Sequence, residues 1–454
     1  MIIKLTHAES SPRLLLIFAG WAMDEHLFAT LRPGGYDVAV AFDHCSDAGD
    51  WPVRLPGDYD EICVVAWSFG VIAATRFMAE NSQLPYTAKI AVNGTLCPVD
   101  DVFGIPEAIF RGTLDRLSPE VIARFNRRMC GSSQRLAALT ASGWVQRPVE
   151  RLATELRTIA AMEHCRERMS DWDVVIVGKR DMIIPAARQL RAWDGHPDVR
   201  CVDEPHLPDF GVLIDRLIVD KSLVAQRFVR SVSSYDGEAE VQRRVARRLA
   251  CIARERFAGK EPGNLLEVGC GTGLLTGELT SLLAPRRLTL WDLAPISEAL
   301  PGDHRRCDAE MQIRKEPDGS YDLIASASTV QWFNSPAAFV RHCHRVLSSG
   351  GVIALSTFGT DNFRELTPYL PATPNYYSPE RWRQLLSETG FRDICVETES
   401  VTKEFADTVS LLRHLSDTGV NAVSGHVGPS VTRSILRSGI RRLTYQPMIV
   451  TGLR

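Results

Sequence analysis

The chain has 454 residues, more than one ordinary domain holds, so two or three domains are expected. Hydrophobic residues at 45% and charged residues at 24% are globular values, and a formal net charge of −3 excludes bulk attraction to nucleic acid. The 11 cysteines are odd in number and form no C-x-x-C pair, which argues against a disulfide framework or structural zinc and fits a reducing cytoplasm; no apolar run approaches a membrane span in length.

Residues 2–6 and 14–18 read as strands around a polar turn, and the second runs into Gly20-Trp21. Residues 38–42 are a further strand. The apolar run 61–67 then meets a tight turn carrying Ser68 and a helix of small residues. That is the layout of a nucleophile elbow, in which serine projects from a sharp strand-to-helix turn. The usual G-x-S-x-G stands here as Ala66-x-Ser68-x-Gly70, a mild departure, and an ordinary helix N-cap is the plainer alternative. Further on, a strand over 172–177 leads to Gly178-Lys179-Arg180-Asp181, and a strand over 199–202 leads to Pro205-His206. Serine, acid, histidine is the chain order of an α/β-hydrolase triad, so Ser68, Asp181 and His206 are the candidate catalytic residues. A buried structural histidine is the alternative at 206. The chemistry needs each type: an imidazole takes the serine proton, and a carboxylate fixes the imidazole tautomer. The backbone N–H groups of Trp21 and Phe69 are the positions for an oxyanion hole.

Residues 106–165 are helical and longer than a simple crossover requires, which suggests a cap. Arg124, Arg127 and Arg128 share a helix face there, with Arg151 and Arg157 further on. Such a patch can dock an acidic partner; a solvated basic face is the alternative. With Gly20-Trp21, Trp67-Ser68-Phe69-Gly70 and Pro205-His206 in place, residues 1–220 resemble the BioG family. The resemblance implies an α/β-hydrolase with a helical cap, which cleaves the methyl ester of pimeloyl-acyl carrier protein in biotin synthesis. The acidic carrier protein would then meet Arg124, Arg127 and Arg128.

Residues 221–232 have helical character and are expected to link this domain to a second one over 233–454. The second opens on Ser233-Ser234-Tyr235-Asp236 and a basic amphipathic helix. Residues 265–275 then read as a buried strand, a glycine-rich turn and a helix start. Glu267 ends the strand, Gly269, Gly271 and Gly273 form G-x-G-x-G, and Asp292 ends the next strand, where a doubly wound fold places a ribose-binding carboxylate. This resembles the first motif of class I S-adenosylmethionine-dependent methyltransferases. The resemblance implies a Rossmann-like sheet and S-adenosylmethionine as methyl donor, with Glu267, Gly269, Gly271 and Gly273 around its methionine part and Asp292 at its ribose. Asp308, after the third strand region, would hold the adenine amino group; a turn aspartate is the alternative.

The domain opening, the glycine loop, Cys307-Asp308-Ala309-Glu310, Gln331-Trp332-Phe333 and Phe358-Gly359 before Asn362-Phe363 together resemble the BioC family. That implies methylation of the free carboxylate of malonyl-acyl carrier protein. The family's serine-asparagine opening before Gln331 is altered here. Tyr235 and Gln242 either close over the site or face solvent; Trp332 and Phe333 either line the acyl pocket or pack in the core. His342 and His344 flank Cys343 on a helix, where adjacent residues point apart, so no metal site is expected. Arg433, Arg437 and Arg441 recur at four-residue spacing and would extend a carrier-protein surface. A carboxylate is ionised at pH 7, so its methylation requires no general base.

The resulting expectation is a bifunctional cytoplasmic enzyme without metal, acting on carrier-bound acyl groups and not on nucleic acid or membrane. Two alternatives stay open: a general carboxylesterase fused to an unrelated small-molecule methyltransferase, or one half serving only to recruit the carrier protein. Oligomeric state is open as well.

Overall fold

The computed structural model describes residues 1–45, 55–141, 143–144, 147–257, 261–369, 376–418 and 429–454. They form two compact units, Met1–Ile214 and Asp215–Arg454.

Unit 1 is a seven-stranded sheet of β1 (Ile2–His7), β2 (Arg13–Phe18), β3 (Asp37–Phe42), β4 (Glu61–Trp67), β5 (Tyr86–Val92), β6 (Val174–Gly178) and β7 (Val199–Val202), in the spatial order β1-β3-β2-β4-β5-β6-β7. All neighbours are parallel except β1 and β3. Every residue of β4 is buried, as a central parallel strand covered on both faces requires. The strand expected from 172 starts only at Val174, because Trp172 closes a 3-10 turn, its N–H on the Met169 carbonyl, and buries its indole N–H against Thr75 Oγ1 at 3.2 Å. The helices are α1 (Gly70–Glu80), α2 (Glu107–Asp115), α3 (Pro119–Cys130), α4 (Ser133–Ala141), α5 (Val149–Ala160), α6 (Ala186–Ala192) and α7 (Phe210–Leu217). Helices α2 to α5 fill the long crossover between β5 and β6.

Unit 2 adds α8 (Lys221–Glu238), α9 (Glu240–Arg256), β8 (Asn264–Val268), α10 (Leu274–Leu283), β9 (Arg287–Asp292), β10 (Asp303–Arg306), α11 (Ala309–Gln312), β11 (Tyr321–Ala327), α12 (Pro336–Val346) and β12 (Leu347–Phe358). Beyond these come α13 (Pro379–Thr389), β13 (Arg392–Thr398), β14 (Val401–Glu404), α14 (Thr408–Asp417), α15 (Pro429–Ser438), β15 (Arg442–Tyr445) and β16 (Pro447–Leu453). Its main sheet runs β10-β9-β8-β11-β12-β16-β13, with β16 antiparallel to both neighbours; β14 and β15 pair separately.

In each sheet the parallel run starts at an inner strand, β2 in unit 1 and β8 in unit 2, and the chain connections leave in opposite directions on either side of it. In such sheets ligands bind beyond the C-terminal strand ends at the switch point. The switch lies between β2 and β4 in unit 1, and between β8 and β11 in unit 2.

The expected linker 221–232 is not a linker. It is the first part of α8, in which Lys221, Val224 and Ser231 are buried. Val224 and Phe228, one helical turn apart, pack with Trp332. The helical spacing was there because the segment has an apolar partner in unit 2. No described helix is long and apolar enough to cross a membrane.

Candidate active sites

Ser68 stands directly beyond β4 with φ +57°, in the left-handed region that strains a non-glycine residue. The turn is tight because neighbouring backbone crosses it. A Cβ at Gly70 would meet the Phe18 carbonyl oxygen at 2.3 Å, and one at Gly94 would meet the Ser68 carbonyl oxygen at 2.4 Å. Ala66, two residues earlier, pairs with Phe18 and Ala91 inside the sheet and is fully buried, so a methyl group is accommodated where glycine is usual.

His206 Nε2 lies 2.9 Å from Ser68 Oγ, and His206 Nδ1 lies 2.7 Å from Asp181 Oδ2. All three side chains are buried. A carboxylate can only accept, so Nδ1 carries the proton and Nε2 presents its lone pair to the serine O–H. That is the tautomer a general base needs. Asp181 is itself fixed: Oδ1 accepts the N–H groups of Ile183 and Ile184 at 2.7 and 2.9 Å, and Oδ2 accepts Gln189 Nε2 at 2.8 Å. The His206 carbonyl receives Trp67 Nε1 at 2.7 Å and Asn93 Nδ2 at 2.9 Å, and Asn93 Oδ1 accepts the Gly178 N–H at 2.6 Å. Asn93 thus ties the strand end before the acid to the histidine loop. Neither Gln189 nor Asn93 was legible in the sequence. For Asn93, the one available signal was its place as the first residue beyond a central strand.

Trp21 and Phe69 follow the two switch-point strands, β2 and β4. Among the described residues neither backbone N–H has a protein acceptor. Glu155 is fully buried; it accepts the N–H of Ala22, next to Trp21, at 3.5 Å and the His44 N–H at 2.9 Å, and it pairs with Arg147 Nη2 at 2.7 Å. The helices of the β5–β6 crossover reach the same place: Phe125 of α3 packs edge-on against Trp21, and Phe110 of α2 against Phe69. Arg124, Arg127 and Arg128 are exposed on α3, with Arg128 Nη2 on the Met182 carbonyl at 2.7 Å. Arg151 does not extend that face; it holds Asp43 at 2.8 Å.

In unit 2 a cavity opens over the turn between β8 and α10. It is walled by Glu267, Gly269, Gly271, Asp292, Asp308 and the inner face of α8. Gly269, Gly271 and Gly273 all have positive φ. A Cβ at Gly269 would sit 2.1 Å from Thr329 Oγ1, across the switch point, whereas one at Gly271 would stand in open space. Asp292 Oδ2 accepts the Gly271 N–H at 2.8 Å and Oδ1 the Ala294 N–H at 2.7 Å; burial holds its carboxyl above the usual range. Glu267 is 1% exposed and its Oε2 has no hydrogen-bond partner among the described residues. Asp308 caps α11 and receives Lys221 Nζ at 2.6 Å; Lys221 also pairs with buried Glu310. Tyr235, Gln242, Trp332 and Phe333 all line this cavity.

A family model described as "Pimeloyl-ACP methyl esterase BioG" matches residues 4–212, and one described as "Methyltransferase domain" matches residues 239–396. Over 96% of its length the chain is 34% identical to the malonyl-[acyl-carrier protein] O-methyltransferase of Bacteroides fragilis, of which it covers 92%. The chain belongs to the malonyl-[acyl-carrier protein] O-methyltransferase family. A Haemophilus influenzae member of that family is 31% identical over 51% of this chain and 93% of its own. The crystal structure of BioG from Haemophilus influenzae is 28% identical, covering 45% of this chain and 94% of that one, with a TM-score of 0.38.

In this member of the malonyl-[acyl-carrier protein] O-methyltransferase family, the C-terminal part is an S-adenosylmethionine-dependent methyltransferase domain preceded by a BioG domain. The unit-2 cavity fits the methyl donor chemically. The unpartnered Glu267 oxygen is an acceptor for an ammonium group, and the open space at Gly271 lets a ligand approach the backbone. Lys221 is a wall residue that sequence reasoning missed, since a lone lysine at a helix start carries no signal.

Burial pushes the Glu267 carboxyl up to about 8, against 4.5 for the free group. Between those values the folded state binds more protons than the unfolded state, so stability falls as pH rises through that window. Glu267→Gln removes this slope. Without donor, the variant's methyltransferase unit should gain on the parent in thermal midpoint up to about pH 8 and hold that gain above it. Calorimetric scans across that range check it, and parallel midpoints at every pH would contradict it.

Proposed function

We propose that this chain carries two active sites that make and later remove the same methyl ester during assembly of the pimeloyl chain of biotin. Unit 2 transfers a methyl group from S-adenosylmethionine to the free carboxylate of malonyl-acyl carrier protein. Unit 1, an α/β-hydrolase, converts pimeloyl-acyl carrier protein methyl ester to pimeloyl-acyl carrier protein and methanol. The observation that carries the second activity is the hydrogen-bonded series Ser68–His206–Asp181 in the base-competent tautomer.

Ser68 Oγ attacks the ester carbonyl as His206 Nε2 takes its proton, and the same nitrogen returns that proton to departing methoxide. The Trp21 and Phe69 N–H groups, which have no protein acceptor among the described residues, would receive the oxyanion. Water then attacks the acyl-serine by the same route. In unit 2 the acceptor is already an anion, so the chain's residues have only to orient it and exclude water. Asp292 holds the donor's ribose and Glu267 its ammonium end. Asp308, braced by Lys221, borders the adenine.

The ester has a physical purpose: an ionised carboxylate is costly to bury in an apolar elongation site, and a methyl ester is not. The two activities avoid a futile cycle if unit 1 selects for chain length. Four additional buried methylenes supply ~3 kcal/mol, roughly 200-fold. The purified chain should methylate malonyl-acyl carrier protein and hydrolyse the pimeloyl ester at least about 100-fold more efficiently than the malonyl ester. Equal efficiency on both esters would overturn the selection, and failure of either reaction the bifunctional reading.

A further inference from the structure

Beside the donor cavity of unit 2, and sharing Tyr235, Gln242 and Trp332 with it, lies a smaller second cavity. Given the proposed methylation, on which this inference rests, it is the place for the acceptor carboxylate. No charged side chain lines it among the described residues; its polar groups include Asn362, Tyr376 and Tyr445. Neutral walls suit the reaction. Transfer from a sulfonium to a carboxylate cancels charge, so a permanent cation in direct contact with the carboxylate would stabilise the reactant anion more than the transition state. Some other device must then favour the acid over its ester.

Behind Tyr445 a hydrogen-bonded series leads away from the cavity. The Tyr445 hydroxyl lies 2.7 Å from His414 Nε2, and His414 Nδ1 lies 2.8 Å from Glu238 Oε2. The carboxylate can only accept, so Nδ1 carries a proton. In the neutral imidazole Nε2 is then an acceptor and takes the Tyr445 O–H. The tyrosine oxygen therefore shows the cavity only lone pairs, which repel an anion. Tyr376 is arranged differently. Its oxygen accepts Asn362 Nδ2 at 3.0 Å, while Asn362 Oδ1 accepts the Gln446 N–H at 3.0 Å, so the Tyr376 proton remains available to a ligand.

We propose that His414 takes one proton from solvent when a carboxylate acceptor binds, and that Tyr445 then turns its O–H from the imidazole to the acceptor. In the imidazolium both ring nitrogens donate, Nδ1 to Glu238 and Nε2 to the Tyr445 oxygen. The released tyrosine proton points at the carboxylate beside that of Tyr376. The acceptor itself gains no proton and stays a nucleophile. Once methylated it is neutral, so His414 returns its proton to solvent and Tyr445 again shows lone pairs, now to a group with no proton to give. The acid is held and the ester is let go. His414 is thus a positioning residue that acts through Tyr445.

The surroundings of His414 support a neutral resting state. It is 4% exposed, with the Phe405 ring 5.2 Å away. Burial lowers its pKa, Glu238 raises it, Lys403 lowers it from 3.8 Å beyond Glu238 Oε2, and Asp417 raises it; the net position is below the ordinary value. An anion arriving on the far side of Tyr445 adds the missing favourable charge.

The test uses the full chain carrying Ser68→Ala to prevent ester hydrolysis, saturated with S-adenosylhomocysteine. It is titrated calorimetrically with malonyl-acyl carrier protein in buffers of different ionisation enthalpy. About one proton should be taken up per acceptor bound near pH 7.5, and affinity should fall up to about tenfold per pH unit above that. The malonyl methyl ester should bind without proton uptake. His414→Gln should abolish uptake and flatten the pH dependence. Tyr445→Phe, which keeps the ring in place, should do the same if the histidine variant does not fold. No uptake in the parent, or undiminished uptake in Tyr445→Phe, overturns the proposal. Methyl transfer by the Ser68→Ala chain separates the two levels: transfer without proton uptake overturns the linkage alone, and absence of both binding and transfer overturns the methylation reading beneath it.

Discussion

Replacing Ser68 with alanine is expected to reduce methyl-ester hydrolysis by about 10³- to 10⁶-fold, the range for removing an activated nucleophile. Methyl transfer by the same preparation should be unchanged, because the residues that line the donor cavity all belong to unit 2. The fold should survive. Ser68 already bears the strain of φ +57°, alanine meets the same restriction, and Gly70 and Gly94 still admit the crossing backbone. Steady-state hydrolysis of the pimeloyl ester, with the thermal midpoint as control, measures it. Undiminished hydrolysis would show that His206 serves a purely structural purpose.

The second large effect is expected at Asp292. Its two carboxylate oxygens hold the Gly271 and Ala294 N–H groups at 2.8 and 2.7 Å, so it both shapes the glycine turn and faces the cavity. Asparagine offers one acceptor where the carboxylate has two, and it has no charge. Hydrogen bonds to charged groups contribute about 1.5–3 kcal/mol, so Asp292→Asn should weaken S-adenosylmethionine binding roughly 10- to 100-fold. Hydrolysis by unit 1 should not change. Calorimetric titration with the donor decides it; an unchanged dissociation constant would place the ribose elsewhere.

How much of this was legible depended on whether a feature is local. The elbow at Ser68 and the glycine turn at Gly269 are short strand–turn–helix units, so their residues specify them directly. Asp181 and His206 could be found because they also sit at strand ends in a fixed order. Gln189 had no such signature, and Asn93 had only its place beyond a central strand; their roles arise because folding brings β5, β6 and the His206 loop together. Arg151 illustrates the opposite error. Its position on an amphipathic helix suggests a solvent-facing cation, yet it reaches back to Asp43, a partner that spacing cannot reveal. The same limit misplaced the domain boundary. The helical character of 221–232 announces a helix without saying what covers its apolar side, and Trp332 does.

That helix has an evolutionary consequence. A tether between catalytic halves ordinarily tolerates insertions, deletions and drift, since only its span matters. Here one face of α8, which starts at Lys221, forms a wall of the donor chamber, and Lys221 braces Asp308 within it. Substitutions between 221 and 235 should therefore be selected for grip on the methyl donor rather than for reach.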